Sequence, residues 1–202
     1  TCLHFLLMTS EASNSAIDVA SRALILIGAD PITSFSETTT EATVASNLYE
    51  DVARACLTST RWRFSTNQAI LNALTDAPTG RFDIAHQLPS DLLMLHALTV
   101  NDNLVDYTQY GDKVFSNRTV ADSVVADYTF RANEVDWPSY FTLAVEYMLA
   151  SVFAGSIARD PELSQQMLVV SDRFMAKART LDSQISTTRK IATSRFITDR
   201  RS

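Results

Sequence analysis

Between Tyr140 and Ala158 the chain reads YFTLAVEYMLASVFAGSIA, an apolar stretch whose one charge is Glu146. A helix that is apolar on every side has no face for water and has to be enclosed by other elements. This segment is therefore expected to lie at the centre of a core. Asp136 can cap it and Pro138 suits its first turn. No apolar run reaches the roughly 20 residues that span a bilayer without carrying a charge. After a break at Asp160–Pro161–Glu162, apolar residues recur at Leu163, Met167, Val170, Phe174, Ala178, Leu181 and Ile185. Those spacings of three and four predict a second long helix. The short connection makes the two helices antiparallel neighbours.

The N-terminal part supplies two more helices. Ile17, Ala20, Leu24 and Ile27 fall at helical spacing over Asn14 to Ile27. Ser15 and Asp18 make a capping arrangement at the start. Gly28 and Pro31 end the helix. A second helix is expected after Thr38, which pairs with Glu41 in another capping box. It presents Ala45, Leu48, Val52 and Cys56 on one face and ends near Ser59.

From Arg61 to Asp136 the period changes to two. VVADYTFRA alternates Ala126, Tyr128 and Phe130 against Asp127, Thr129 and Arg131, the pattern of a half-buried strand. LLMLHALTV followed by NDN reads as a buried strand and a turn, and Gly111–Asp112 separates two strand-like runs as in a hairpin. RWRF (61–64) also alternates when read as a strand. Trp62 and Phe64 then face a core, and Arg61 and Arg63 face outward. That separation makes the stretch a poor base-stacking platform, which needs aromatic and basic groups on one face. The expected fold class is α+β, mainly α: a four-helix bundle (13–60 and 137–186) with an inserted small antiparallel β unit (61–136). Arms are expected at 1–12 and 187–202. Trp62, Phe64, Leu24, Leu48 and Phe174 are the expected structural core.

Charge is unevenly placed. The formal net charge is -6. Arg189, Lys190, Arg195, Arg200 and Arg201 against Asp199 give the last fourteen residues +4, so the rest of the chain carries -10. An acidic body argues against phosphate-backbone binding over its whole surface. A basic tail on an acidic body reads as an arm that docks elsewhere. The two cysteines, Cys2 and Cys56, do not form a disulfide framework, which fits assembly in a reducing cytoplasm.

Catalytic signatures are missing: there is no G-x-S-x-G, P-loop, G-x-G-x-x-G or H-E-x-x-H. His86 with Asp83 and Asp91, and His96 nearby, could be imagined as a metal or acid–base group. No Cys pair accompanies them, and structural histidines are the simpler reading. Glu146 could be a buried acid with a raised pKa. The simpler reading is an arginine partner or a subunit boundary. No catalytic residue, metal or cofactor is assigned, and no membrane partner is expected.

The ordered pieces carry a resemblance. The run from Ala16 to Phe64, with Leu24, Ile27, Gly28, Pro31, Ile32, Ser34, Trp62 and Phe64, is similar to the N-terminal half of the phage tail tubular protein A family. QLPSDLLML (87–95) resembles that family's "LP-x-D" strand, and VDWPSYFTLAVEYMLASVFAGSIARDPEL its third helix and following turn. The resemblance spans about Ile17 to Ile185. It implies a non-enzymatic podovirus head-to-tail adaptor of the virion neck, assembled in the host cytoplasm. Such adaptors form a homo-oligomeric, dodecameric ring between the portal protein and the tail nozzle protein, and double-stranded DNA passes through it. An acidic wall would let DNA slide, having few cations to hold phosphates. In that setting the tail becomes a portal-docking arm, with Phe196 and Ile197 as anchors and Arg189, Lys190, Arg195, Arg200 and Arg201 meeting acidic groups. Arg61, Arg63 and Glu146 become candidates for the subunit interface. Two alternatives stay open: a siphovirus-type head-completion or neck protein contacting DNA, and a hydrolase using Glu146 or His86, Asp83 and Asp91.

Overall fold

The computed structural model describes residues 14–74 and 81–185. The two expected arms, 1–12 and 187–202, lie outside that range. Helix α1 (Ala16–Leu26) starts at Ser15, whose hydroxyl accepts from the Asp18 N–H while the Asp18 carboxylate accepts from the Ser15 N–H. It ends in a Schellman turn: the Gly28 N–H donates to Ile25 O and the Ala29 N–H to Leu24 O. Gly28 has φ +75°, which is why glycine stands there. The next loop buries Ile32 and is tied by Glu37, whose carboxylate accepts from the N–H groups of Thr33 and Ser34. Helix α2 (Thr40–Thr58) is capped by Thr39, one residue after the expected Thr38. Its inner face is Ala42, Ala45, Tyr49, Ala53, Cys56 and Leu57.

Among the described residues the chain then forms seven strands in two antiparallel sheets. The first contains β1 (Thr66–Ile70), β7 (Val125–Phe130), β3 (Leu92–Val100) and β4 (Asn103–Leu104), in that spatial order. The second is β2 (Ile84–Gln87), β6 (Lys113–Ser116) and β5 (Tyr107–Tyr110). The chain crosses between sheets at Leu71, whose N–H donates to Val124 O, and at Val105, whose N–H donates to Leu98 O. Leu71, Leu98, Val100, Val105, Val114, Val124 and Ala126 fill the space between as a core of their own. The NDN turn has Asn101 and Asp102 at positive φ, and Gly111 turns the β5–β6 hairpin at φ +61°. Strand β7 is more enclosed than its alternation suggested. It is flanked by β1 and β3, and Thr129 on its expected outer face is fully buried.

Helix α3 (Ser139–Phe153) follows Pro138. Asp136 ends a separate 3-10 turn, so the helix starts later than expected. It continues through a π-helical turn at Ala154–Ala158, and Arg159 adopts a left-handed conformation. By length and composition Ser139–Ala158 could cross a membrane, but 56% of that window is buried inside the protein. Helix α4 (Pro161–Gln184) begins at Asp160, whose carboxylate accepts from the N–H groups of Glu162 and Leu163.

The expected four-helix bundle is not what forms. Helix α3 is a hub that packs against α1, α2 and α4 separately, and neither α1 nor α2 runs along α4. Four helices and a short connection suggested closure, but closure needs an apolar face on α4 that reaches all its neighbours. The inner face of α4 is instead rotated onto small and polar residues. Ser164 Oγ donates to Ser151 O (2.7 Å) and Ser171 Oγ to Ala144 O (3.1 Å), which brings α4 close to α3 alone. Val169 and Ile185 are exposed, and Leu163, Met167 and Phe174 are only half-buried. Side chains from the β side, Trp62, Ala132 and Trp137, complete the helical core with Leu24, Phe141 and Leu149. Leu48, Phe64 and Phe174 pack at its margin.

RWRF is not a strand either. Arg61 lies in a turn, Trp62 is extended and Arg63–Ser65 form a 3-10 turn. The separation of its side chains survives by another route. Trp62 is fully buried, with ring centroids 6.1 Å from Phe64 and 5.1 Å from Phe141. Its indole N–H donates to Cys56 O at 2.9 Å, so it pins the loop to the end of α2. Arg61 and Arg63 stay exposed.

Candidate functional site

Three polar clusters stand out. The first joins the helical part to the β part. Arg131, just after β7, makes a two-pronged pair with Glu50 of α2 (Nε 3.0 Å, Nη2 2.9 Å) and a third contact with Glu134 (2.6 Å). The Tyr49 hydroxyl donates to Glu134 at 3.1 Å, and the Arg131 guanidinium lies 5.5 Å from the Trp137 ring centre. Burial opposes the Arg131 charge, but the two carboxylates more than offset it and raise its pKa. The arginine in turn holds the Glu50 carboxyl below its usual range, and burial raises the Tyr49 phenol. Every group here is committed to another protein group, which describes a joint rather than a reaction centre.

The second cluster contains Glu146. It is 7% exposed on α3 and accepts from Arg22 Nε of α1 at 2.5 Å. Arg22 also donates to the Asn14 side-chain oxygen. Burial raises the Glu146 pKa, and the Arg22 guanidinium partly restores its charge. The arginine partner is inside the protomer, so Glu146 sits on the α1–α3 contact.

The third is a cleft of about 530 Å³ lined by Thr60, Arg61, Arg63, Thr66, Arg179, Asp182 and Ser183. Here the end of α2 meets the end of α4. Asp182 is 5% exposed and organises the wall. Its carboxylate accepts from the Arg63 N–H (3.2 Å) and the Tyr140 hydroxyl (3.1 Å). Burial, then Asp182, push the Tyr140 phenol up to about 12. Arg63 Nε donates at 3.0 Å to the Asp182 carbonyl, which also accepts from the Ile185 N–H at the end of α4. Arg61 Nη2 lies 3.5 Å from Asp127 Oδ2, a loose and half-exposed pair. Arg179 has no ion pair among the described residues. The cleft thus presents three guanidinium groups while its one carboxylate faces inward.

The remaining candidates do not assemble. His86 is 1% exposed within the β part, and its Nδ1 has no hydrogen-bond partner among the described residues. Asp83 and Asp91 are exposed, so the imagined acid–base group does not come together. His96 Nε2 is 2.7 Å from Thr129 Oγ1. No group of three potential metal ligands occurs among the described residues. Cys56 is buried, and burial pushes its thiol up to about 12. Arg189, Lys190, Arg195, Phe196, Ile197, Arg200 and Arg201 lie outside the described residues. Sequence reading missed Arg179, Asp182 and the Arg131 joint. One signal was available: Asp182 follows Ala178 by four residues, placing a carboxylate on the inner face of α4.

No family model matches the chain, and no curated protein matches it.

Proposed function

We propose that the chain is a structural virion protein, a head-to-tail adaptor that forms a ring between the portal and the tail nozzle and lets double-stranded DNA pass. The observation that supports it best is the order of the sequence pieces and their convergence in space. The Leu24–Gly28–Ile32 segment, Trp62 and the apolar helix after Pro138 are far apart in sequence, yet Leu24, Ile32, Trp62 and Phe141 share one core. The polar clusters add support of a weaker kind. Two are internally paired joints, and the third is an open cationic cleft suited to contact rather than to chemistry.

Negative-stain microscopy with sedimentation velocity tests this reading, on the protein alone and mixed with its cognate portal assembly. Closed rings in either sample are expected. A protein that stays monomeric in both would overturn the proposal. The basic arm is the proposed portal contact, anchored by Phe196 and Ile197. Deleting residues 189–202 should leave the melting curve unchanged and abolish portal attachment in a pull-down. Unchanged attachment would remove that role from the arm.

A further inference from the structure

The helical body is charge-polar along its length. Helices α2 and α4 run in the same direction. Glu41, at the start of α2, shares a shallow pocket with Asp30, Ile157 and Ala158, two residues before the Asp160 cap of α4. At the far end, Arg61 beyond α2 and Arg179 near the end of α4 line the arginine cleft. With 19 residues in α2, the two ends stand roughly 28 Å apart at 1.5 Å per residue.

The first end holds Asp30, Glu37, Glu41, Asp160 and Glu162 against Arg159. Glu37 and Asp160 are engaged with nearby backbone N–H groups. Asp30 and Glu162 are exposed and Glu41 is half-exposed, and none of these three has an ion pair among the described residues. The second end holds Arg61, Arg63 and Arg179 against Asp182, whose carboxylate is engaged by the Arg63 N–H and the Tyr140 hydroxyl, and Asp127, which lies 3.5 Å from Arg61. Helix dipoles account for part of this, since carboxylates are favoured near helix N-termini within about one turn. They do not account for Asp30, which follows the C-terminus of α1, where negative charge is disfavoured. Nor do they account for Arg179, which precedes the last turn of α4.

We infer that the arginine cleft takes the acidic end of a second copy of this chain, so that copies associate head to tail. The two surfaces are unlike, opposite in charge and on opposite ends of one body. Such a contact leaves one free acidic end and one free basic end at every step, so it propagates into a ring or a filament rather than stopping at a two-fold dimer. Opposed charges of this kind set the register and rate of encounter more than the final affinity. The inference deepens the ring reading and rests on it for closure of the series.

The test uses two charge-reversed full-length variants. One carries Arg61→Glu with Arg179→Glu, the other Glu41→Lys with Glu162→Lys. Sedimentation velocity at low salt should show self-association of the unaltered protein, weakened by added salt. Each variant alone should associate about tenfold or more weakly, and an equimolar mixture should restore association, because each variant supplies the end that the other lacks. Melting curves establish that both variants fold. The docking is overturned if the unaltered protein does not associate, if either folded variant associates as the unaltered protein does, or if the mixture of folded variants fails to recover. It is also overturned if reversal at Arg61 and Arg179 removes binding to a random duplex oligonucleotide while self-association persists, since the cleft would then serve phosphate. Rings that still form on the portal with both variants would leave the ring reading standing without this contact. Monomers in every sample, portal included, would remove both.

Discussion

Trp62 has two roles that substitution can separate. Its ring fills space beside Phe64 and Phe141, and its N–H satisfies the Cys56 carbonyl. Trp62→Ala removes both and should cost about 3–5 kcal/mol, the range for emptying a large aromatic site. Trp62→Phe keeps most of the ring and removes one donor to the Cys56 carbonyl, which still accepts from the Ser59 hydroxyl, for about 0.5–1.5 kcal/mol. Urea unfolding followed by circular dichroism gives both values, and a Trp62→Phe loss near zero would show that the hydrogen bond contributes nothing. His86 makes a different demand. Burial lowers its pKa, so the unfolded chain binds more protons than the fold once pH drops through the ordinary histidine range near 6.5. Its contribution is therefore complete above that range and is lost as pH falls toward the depressed value. His96 is shifted the same way, by burial and then Arg61. His86→Phe should flatten, without abolishing, the decline of the urea midpoint between pH 7.5 and 5. An unchanged slope would assign the decline to other groups.

At the level of elements, the Arg131 joint determines whether the two cores melt together. Arg131→Ala removes the contact to Glu50 and leaves Glu50 and Glu134 without their common cation. The loss should be about 2–4 kcal/mol, somewhat below the cost of breaking a fully buried pair from one side because the Glu50 side chain is half-exposed. The transition should broaden as the β core and the helical core separate, which far-UV and tryptophan signals would report as non-coincident curves. This joint could not be read from the sequence, because Glu50 and Arg131 are 81 residues apart and neither breaks a local pattern. What could be read was local. The Ser15–Asp18 box, the Gly28 turn, the Asp160–Pro161 start and the NDN turn each declare themselves within four residues. RWRF shows the limit from the other side. Alternation in four residues fits a strand, yet a turn followed by a 3-10 segment sorts the same side chains to the same sides. The bundle expectation failed for a related reason. The stripe on α4 has helical period, but period alone does not say how far a face is turned, and Ser164, Ser171 and Asp182 turn it onto α3.

For the whole molecule, the charge-polar body and the arm at 187–202 divide the proposed labour, one joining like copies and the other reaching a different partner. The way the β part is plugged in has a consequence of its own. Its first and last strands, β1 and β7, are antiparallel neighbours, and Thr66 is paired directly with Thr129. Paired residues in such a ladder have Cα atoms about 4.5–5.5 Å apart, close to the spacing of consecutive residues along a chain. The sixty-odd residues between them therefore leave and return through one doorway. Replacing 67–128 with a two- or three-glycine link should yield a shortened protein that still melts cooperatively and keeps Trp62 and Trp137 buried, as near-UV circular dichroism would record. Collapse of that protein would mean that Leu93, which reaches the helical core from β3, is indispensable to it. If it folds, the β part is an interchangeable cassette: surfaces carried on it could diverge or be exchanged for another domain while the helical body stayed unchanged.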